Sequence, residues 1–151
     1  VDAAQLMANS AKKAGIDIEV IREPNDGYWS NVWNNDAKGW CACYWGGRPA
    51  ETMMFSAAYV AESKWNDTMW KTTDSAVKFN QLVKDARKEL DESKKRDILY
   101  ECQRLIYDDG GLLCPLFNSY VSANSKKIAH GKIAANWDSD GAKCVERWWF
   151  A

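Results

Sequence analysis

One short segment of the chain combines an aromatic ring, a glycine pair and two opposite charges. Trp45 is followed by Gly46, Gly47 and Arg48, and Glu51 comes three residues later. The glycines let the backbone turn sharply or approach a ligand closely, while Arg48 can meet a carboxylate with two parallel hydrogen bonds. The segment therefore predicts a ligand-binding site formed by Trp45, Gly46, Gly47, Arg48 and Glu51, with an anionic group as ligand. The alternative is a connection without a ligand, in which Arg48 pairs with Glu51.

Other residues with reactive side chains form weaker patterns. The only histidine, His130, lies in a predicted loop, and no spacing pairs it with a cysteine. Cys41 and Cys43 lie on one face of a predicted strand, without the second Cys or His pair of a metal site. Residues Asp138 to Gly141 begin like a calcium loop but lack the later Glu ligand, so we expect a polar turn there. No catalytic residue, metal site or cofactor is predicted.

Two other functions remain as alternatives to small-solute binding. A small thiol-dependent hydrolase would use Cys41 or Cys43 as its nucleophile. A carbohydrate-binding module would use exposed members of the nine Trp residues. The five cysteines are an odd number, so at least one thiol is unpaired within the chain. Either Cys41 or Cys43 bridges to Cys102, Cys114 or Cys144, or the thiols are simply buried apolar groups.

Composition sets the broad class of the protein. The 151 residues are enough for one domain with a hydrophobic core. The formal net charge of −1 argues against a nucleic-acid partner and against an anionic membrane surface. No apolar run approaches the length of a membrane span. Because the sequence opens with Val1 rather than Met, we expect a processed chain or a fragment of a longer one.

Apolar periodicity predicts an α/β organisation with a small sheet flanked by helices. Ile16–Ile21 alternates and Trp40–Tyr44 is a short apolar run, so both are predicted strands of a parallel or mixed sheet. Leu112–Phe117 is a predicted edge strand, because it contains Pro115. Helical spacing predicts helices over Asp2–Ala14, from Tyr28 to Trp33 and from Pro49 to about Ala58, and a hairpin of Ser75–Leu90 and Lys94–Asp108.

The order of these elements resembles the C-terminal part of the family 5 extracellular solute-binding proteins. The resemblance rests on the helix with Arg96, Tyr100 and Gln103, on the apolar strand that follows it, and on the Tyr44-Trp45 strand end. It covers essentially the whole chain. Members of this family are the dipeptide, oligopeptide and nickel receptors of ABC importers. The resemblance therefore implies a non-enzymatic binding protein with a type II periplasmic-binding-protein fold.

The resemblance also implies an organisation, partners and a location. Residues 1–151 would be a single domain, the C-terminal lobe of a longer two-lobed protein whose N-terminal lobe is absent. The partners would be a peptide-like or other small solute, the N-terminal lobe and an ABC permease. The location would be periplasmic or extracellular at the membrane, where at least one disulfide is expected. Peptide binders of the family carry Asp before the proline of the site loop, whereas this chain has Arg48 before Pro49.

Overall fold

The computed structural model describes residues 1–35 and 39–151, which divide into the units Val1–Tyr44 and Trp45–Ala151. The first unit begins with helix α1, Asp2–Lys12, which has an acidic residue in its first turn and a basic residue in its last. Gly15 follows with φ of +78°, a left-handed conformation that costs glycine little. The amide of Ile16 bonds to Ala11 O at 3.1 Å, which closes the helix end as predicted.

A cluster of aromatic rings occupies the rest of the first unit. Helix α2, Tyr28–Asn31, is the predicted short aromatic helix. The ring of Trp29 makes edge-to-face contacts with Tyr28, Trp33 and Tyr44, at centroid distances of 5.4, 5.7 and 5.5 Å. The Tyr28 hydroxyl donates to Ala42 O at 2.7 Å. The polar sequence from residue 34 to residue 39 predicts a loop, and part of this loop lies outside the described residues.

The predicted strands Ile16–Ile21, Trp40–Tyr44 and Leu112–Phe117 are wrong, because none of these segments is a strand. Alternation and apolar runs indicate which side chains favour burial, but a strand also requires a neighbouring strand for its backbone hydrogen bonds. The apolar side chains are not buried either: Trp40 is 80% exposed and Phe117 is 93% exposed. These segments have irregular backbones in the described structure.

The second unit is organised around the predicted helical hairpin, which is confirmed. Helix α4 spans Asp74–Lys88 and helix α5 spans Glu92–Asp109, and the two pack against each other. Helix α4 is capped by Thr73, whose hydroxyl accepts from Ala76 N. Asp91 caps α5 by accepting from the amides of Ser93 and Lys94.

The core of the second unit lies between this hairpin and the preceding helical segment. That segment consists of helix α3, Glu51–Met54, and a π-helical turn, Phe55–Tyr59. The fully buried ring of Phe79 lies 5.5 Å from Phe55 and 5.1 Å from Trp70, between centroids. The core consists of Phe55, Ala58, Tyr59, Trp70, Ala76, Phe79, Val83, Cys102, Leu105 and Ile106.

One acidic side chain joins the two ends of the hairpin. Asp109, the last residue of α5, accepts hydrogen bonds from Trp70 Nε1 at 2.9 Å, from Thr73 Oγ1 at 3.0 Å and from Ser75 Oγ. Donation by Ser75, and then by Trp70 and Thr73, lowers the pKa of the Asp109 carboxyl. The carboxylate thereby holds the start of α4 against the end of α5.

The chain ends in a two-stranded antiparallel ribbon that the sequence patterns do not predict. Strand β1, Ile128–His130, pairs with strand β2, Trp148–Phe150, so that Ala129 lies opposite Trp149. Between them lie a left-handed helical turn, α6, at Asp138–Ala142, and helix α7 at Cys144–Arg147. The turn carries the polar sequence that we predicted to be a turn rather than a calcium loop.

Candidate functional site

The predicted site loop begins at Trp45, which is fixed by a hydrogen bond to a distant residue. Its indole Nε1 donates to Asp67 Oδ2 at 3.0 Å, and its ring packs against the core. Asp67 follows Asn66, a buried side chain that donates to Tyr59 O at 3.1 Å and to Trp70 O at 3.1 Å. A buried amide with these partners fixes the irregular segment around it. Trp45 therefore starts the loop from a defined position.

Arg48 is half-buried, and its guanidinium is held within the loop itself. Nη1 donates to Gly46 O at 2.7 Å and to Gly47 O at 3.2 Å. The guanidinium carbon lies 5.5 Å from the ring centroid of Trp137, a cation–π distance. With the described residues, Nε and Nη2 make no hydrogen bond, so one edge of the fork retains its donors.

Glu51 does not pair with Arg48. Glu51 is exposed and opens helix α3, where an acidic residue suits the helix dipole. None of the ion pairs among the described residues joins it to Arg48. The predicted alternative, an Arg48–Glu51 salt bridge, is therefore wrong, because the guanidinium bonds to glycine carbonyls instead.

The left-handed turn that follows Trp137 is held by one buried carboxylate. The buried carboxylate of Asp140 accepts from Ala134 N at 2.6 Å and from Trp148 Nε1 at 2.9 Å, and it forms an ion pair with Arg147, whose Nη1 lies 2.9 Å from Oδ1. Donation from the Ala134 amide is the largest of the effects that lower the pKa of this carboxyl.

The backbone of this turn is one that non-glycine residues adopt only under constraint. Ser139 and Asp140 have φ values of 47° and 62°. Left-handed conformation costs such residues roughly 1–2 kcal/mol each, so the surrounding contacts must impose it. The carboxylate of Asp140 connects the turn to β2 and to the segment before Trp137. Trp137, whose ring lies beneath Arg48, directly precedes this turn, and its carbonyl accepts from Gly141 N at 3.2 Å.

Gly47 meets a residue from another part of the second unit. A Cβ atom built on Gly47 would lie 3.0 Å from the hydroxyl oxygen of Tyr120, whereas one on Gly46 would lie 3.5 Å from Arg48 Nη1. The glycine at position 47 thus permits a close approach of the phenol to the loop. Trp45 to Arg48 are consecutive in this loop and Glu51 begins the helix that follows it. The structure adds Trp137 and Tyr120 to these predicted site residues.

Trp137 and Tyr120 were not predicted as site residues. Both lie in segments whose sequences show no period, and no local pattern indicates which distant residue such a ring contacts. Nine Trp residues in one chain are the only available signal, and it does not single out position 137.

The residues considered for catalysis lie elsewhere in the structure. His130 Nδ1 is 2.8 Å from Gly131 O, and its ring lies 5.0 Å from that of Trp148. None of the five cysteines is joined in a disulfide, so the structure does not contain the expected bridge. Cys102 is fully buried in the hairpin core, and burial raises its pKa to about 11. Among the described residues, no group of three or more His, Cys, Asp or Glu side chains is arranged to hold a metal ion.

No family model, curated protein or solved structure matches the chain. Within residues 1–35 and 39–151, no helix combines the length and the apolar character needed to cross a membrane.

Proposed function

We propose that the protein is a solute-binding module, one lobe of a periplasmic or extracellular receptor that delivers a small solute to an ABC permease. The solute is peptide-like or another small molecule, and it carries an anionic group that Arg48 binds. The observation that carries the proposal is the hydrogen bonding of the Arg48 guanidinium. One edge bonds to two glycine carbonyls, and the other edge makes no bond with the described residues.

The surroundings of Arg48 suit recognition of an anion. Arg48 is half-buried as a residue, and its guanidinium lies over the Trp137 ring, which keeps water from one face of the guanidinium before any ligand arrives. A charge in such a position interacts more strongly with an anion than a fully solvated one does. The planar fork of Arg also matches the two oxygens of a carboxylate. The family resemblance supports the same segment as a ligand contact.

Weak binding is expected from a single lobe, so the test must detect millimolar affinity. We propose a two-dimensional NMR titration of ¹⁵N-labelled protein with the dipeptide alanyl-phenylalanine, observing the Arg48 Nε–H and the Trp indole signals. A dissociation constant of about 1 mM corresponds to about −4.1 kcal/mol. The expected result is that the Arg48 and Trp137 signals shift, and that the C-terminal amide of the same dipeptide shifts them less.

Substitutions then assign the effect to the guanidinium. Arg48→Ala should weaken binding of the dipeptide by about 1.5–3 kcal/mol, the range for a hydrogen bond to a charged group. Arg48→Lys should recover part of this loss, and Glu51→Gln should change little. The matched control is Arg96→Ala, which removes an exposed guanidinium from α5 that bonds only to Ser93 among the described residues. Unchanged affinity in Arg48→Ala, or an equal loss in Arg96→Ala, would contradict the proposal.

A further inference from the structure

Tyr120 lies against the site loop although it belongs to an irregular segment. Its hydroxyl oxygen occupies the space beside Gly47, 3.0 Å from the position that a side-chain Cβ would take. Tyr120 is 50% exposed, whereas Phe117 and Val121 in the same segment are each 93% exposed. Tyr120 is therefore the least exposed of these three residues, with half of its surface covered.

The hydroxyl of Tyr120 and the guanidinium of Arg48 approach the same glycine pair. Arg48 Nη1 bonds to the carbonyls of Gly46 and Gly47, and the Tyr120 hydroxyl lies beside Gly47. Within the described structure, that hydroxyl makes no hydrogen bond. A phenol O–H and a guanidinium N–H are both donors, and both prefer an ionised oxygen as acceptor.

We infer that Tyr120 is a specificity-determining residue of the proposed site, and that its hydroxyl is a second donor to a carboxylate bound by Arg48. This inference rests on the proposed function. Its consequence is a substrate class: solutes with a carboxylate beside the loop, in preference to their amides and to inorganic phosphate. The amide is neutral, and it has an NH₂ donor in place of the second carboxylate oxygen, so it pairs less favourably with two donors than the carboxylate does. Removal of the hydroxyl should therefore reduce the preference for acid over amide.

The test is Tyr120→Phe, which removes one oxygen and retains the ring. The same NMR titration uses alanyl-phenylalanine, its C-terminal amide and inorganic phosphate as probes. The expected result is a loss of about tenfold in affinity for the acid, as for one charge-assisted hydrogen bond. Affinity for the amide should stay unchanged, and phosphate should bind more weakly than the acid. Tyr107→Phe is the matched control, since Tyr107 is an 87% exposed tyrosine on α5.

The outcomes separate this inference from the proposed function. If Arg48→Ala weakens binding of the acid and Tyr120→Phe leaves the acid-to-amide ratio unchanged, the inference fails and the proposed function stands. If Tyr120→Phe weakens acid and amide equally, Tyr120 only shapes the loop and the inference also fails. Stronger binding of phosphate than of the acid would overturn the carboxylate class. If the wild type binds no probe, or if Arg48→Ala has no effect, both proposals fail together.

Discussion

Substitution of Gly47 by Ala should weaken carboxylate binding without unfolding the protein. The added Cβ would lie 3.0 Å from the Tyr120 hydroxyl, which is too close, so the phenol must move by a few tenths of an ångström. Gly47 does not have the positive φ that makes an alanine strained. The loss is thus part of one hydrogen bond, about 0.5–1 kcal/mol of binding free energy or roughly two- to fivefold in affinity.

Two other glycines provide matched controls for this prediction. A Cβ at Gly46 would lie 3.5 Å from Arg48 Nη1, an ordinary contact, and a Cβ at Gly131 would meet nothing within 4 Å. Gly46→Ala and Gly131→Ala should therefore leave affinity for alanyl-phenylalanine unchanged in the NMR titration. In a Tyr120→Phe background, Gly47→Ala should have no further effect, because the displaced oxygen is absent. A loss from Gly46→Ala as large as that from Gly47→Ala, or a loss that persists without the hydroxyl, would refute the reasoning.

Two further predictions concern thiol reactivity and the effect of acid. The exposed thiols of Cys43 and Cys114 should react quickly with iodoacetamide in native protein, and Cys102 should react only after unfolding, because it is buried with a pKa raised to about 11. Peptide mass spectrometry checks this, and rapid native labelling of Cys102 would contradict it. The pKa values of Asp109 and Asp140 in the folded protein lie below the ordinary value of 3.8. Both carboxylates therefore stabilise the fold above pH 3.8, and this stabilisation is lost as the pH falls through their lowered pKa values. The melting temperature, measured by circular dichroism from about pH 6 to about pH 2, should fall at the acid end of this range. Asp140→Asn should melt at a lower temperature than wild type at about pH 6. A melting temperature that does not change with pH would contradict the stabilising role of these two carboxylates.

The helical hairpin could be predicted from sequence because its information is local. Phe79, Val83 and Ala86 recur at helical spacing, and all three are buried on one face of α4. Cys102 and Ile106 do the same on α5. A helix satisfies its own backbone hydrogen bonds, so its period alone indicates both the element and the buried face.

The strand predictions were wrong because a strand forms only beside a neighbouring strand, and a local sequence pattern does not show whether one is present. Ile16–Ile21 alternates like a strand, yet Ile16 and Ile21 are 56% and 71% exposed and the segment is irregular. Conversely, strands β1 and β2 were not predicted, because each is too short to show a recognisable period. Trp148 is also fixed by its bond to Asp140, a contact that the sequence does not reveal.

The residues of the site loop could be predicted from the sequence, but the residues that contact the loop could not. The glycine pair and Arg48 are adjacent in sequence, so their proximity follows from the chain itself. Trp137 and Tyr120 come close only through tertiary folding, and they change the interpretation of the loop. The glycines were predicted to leave room for a ligand beside the backbone, whereas at Gly47 that space is taken by the Tyr120 hydroxyl.

The site loop is restrained at three points, and this bears on what a ligand would gain there. Trp45 bonds to Asp67, Arg48 lies over Trp137, and Gly47 lies against Tyr120. Ordering a free Arg side chain costs up to roughly 2 kcal/mol in rotamer entropy. For Arg48 part of that cost is already met by folding, because two carbonyls and an aromatic ring limit its rotamers. A solute that binds the remaining donors would therefore retain more of its interaction energy as affinity. Replacement of Trp137 by Leu removes the aromatic ring and should remove this advantage. The restraint on its rotamers distinguishes Arg48, as a preorganised anion-binding residue, from an exposed arginine such as Arg96.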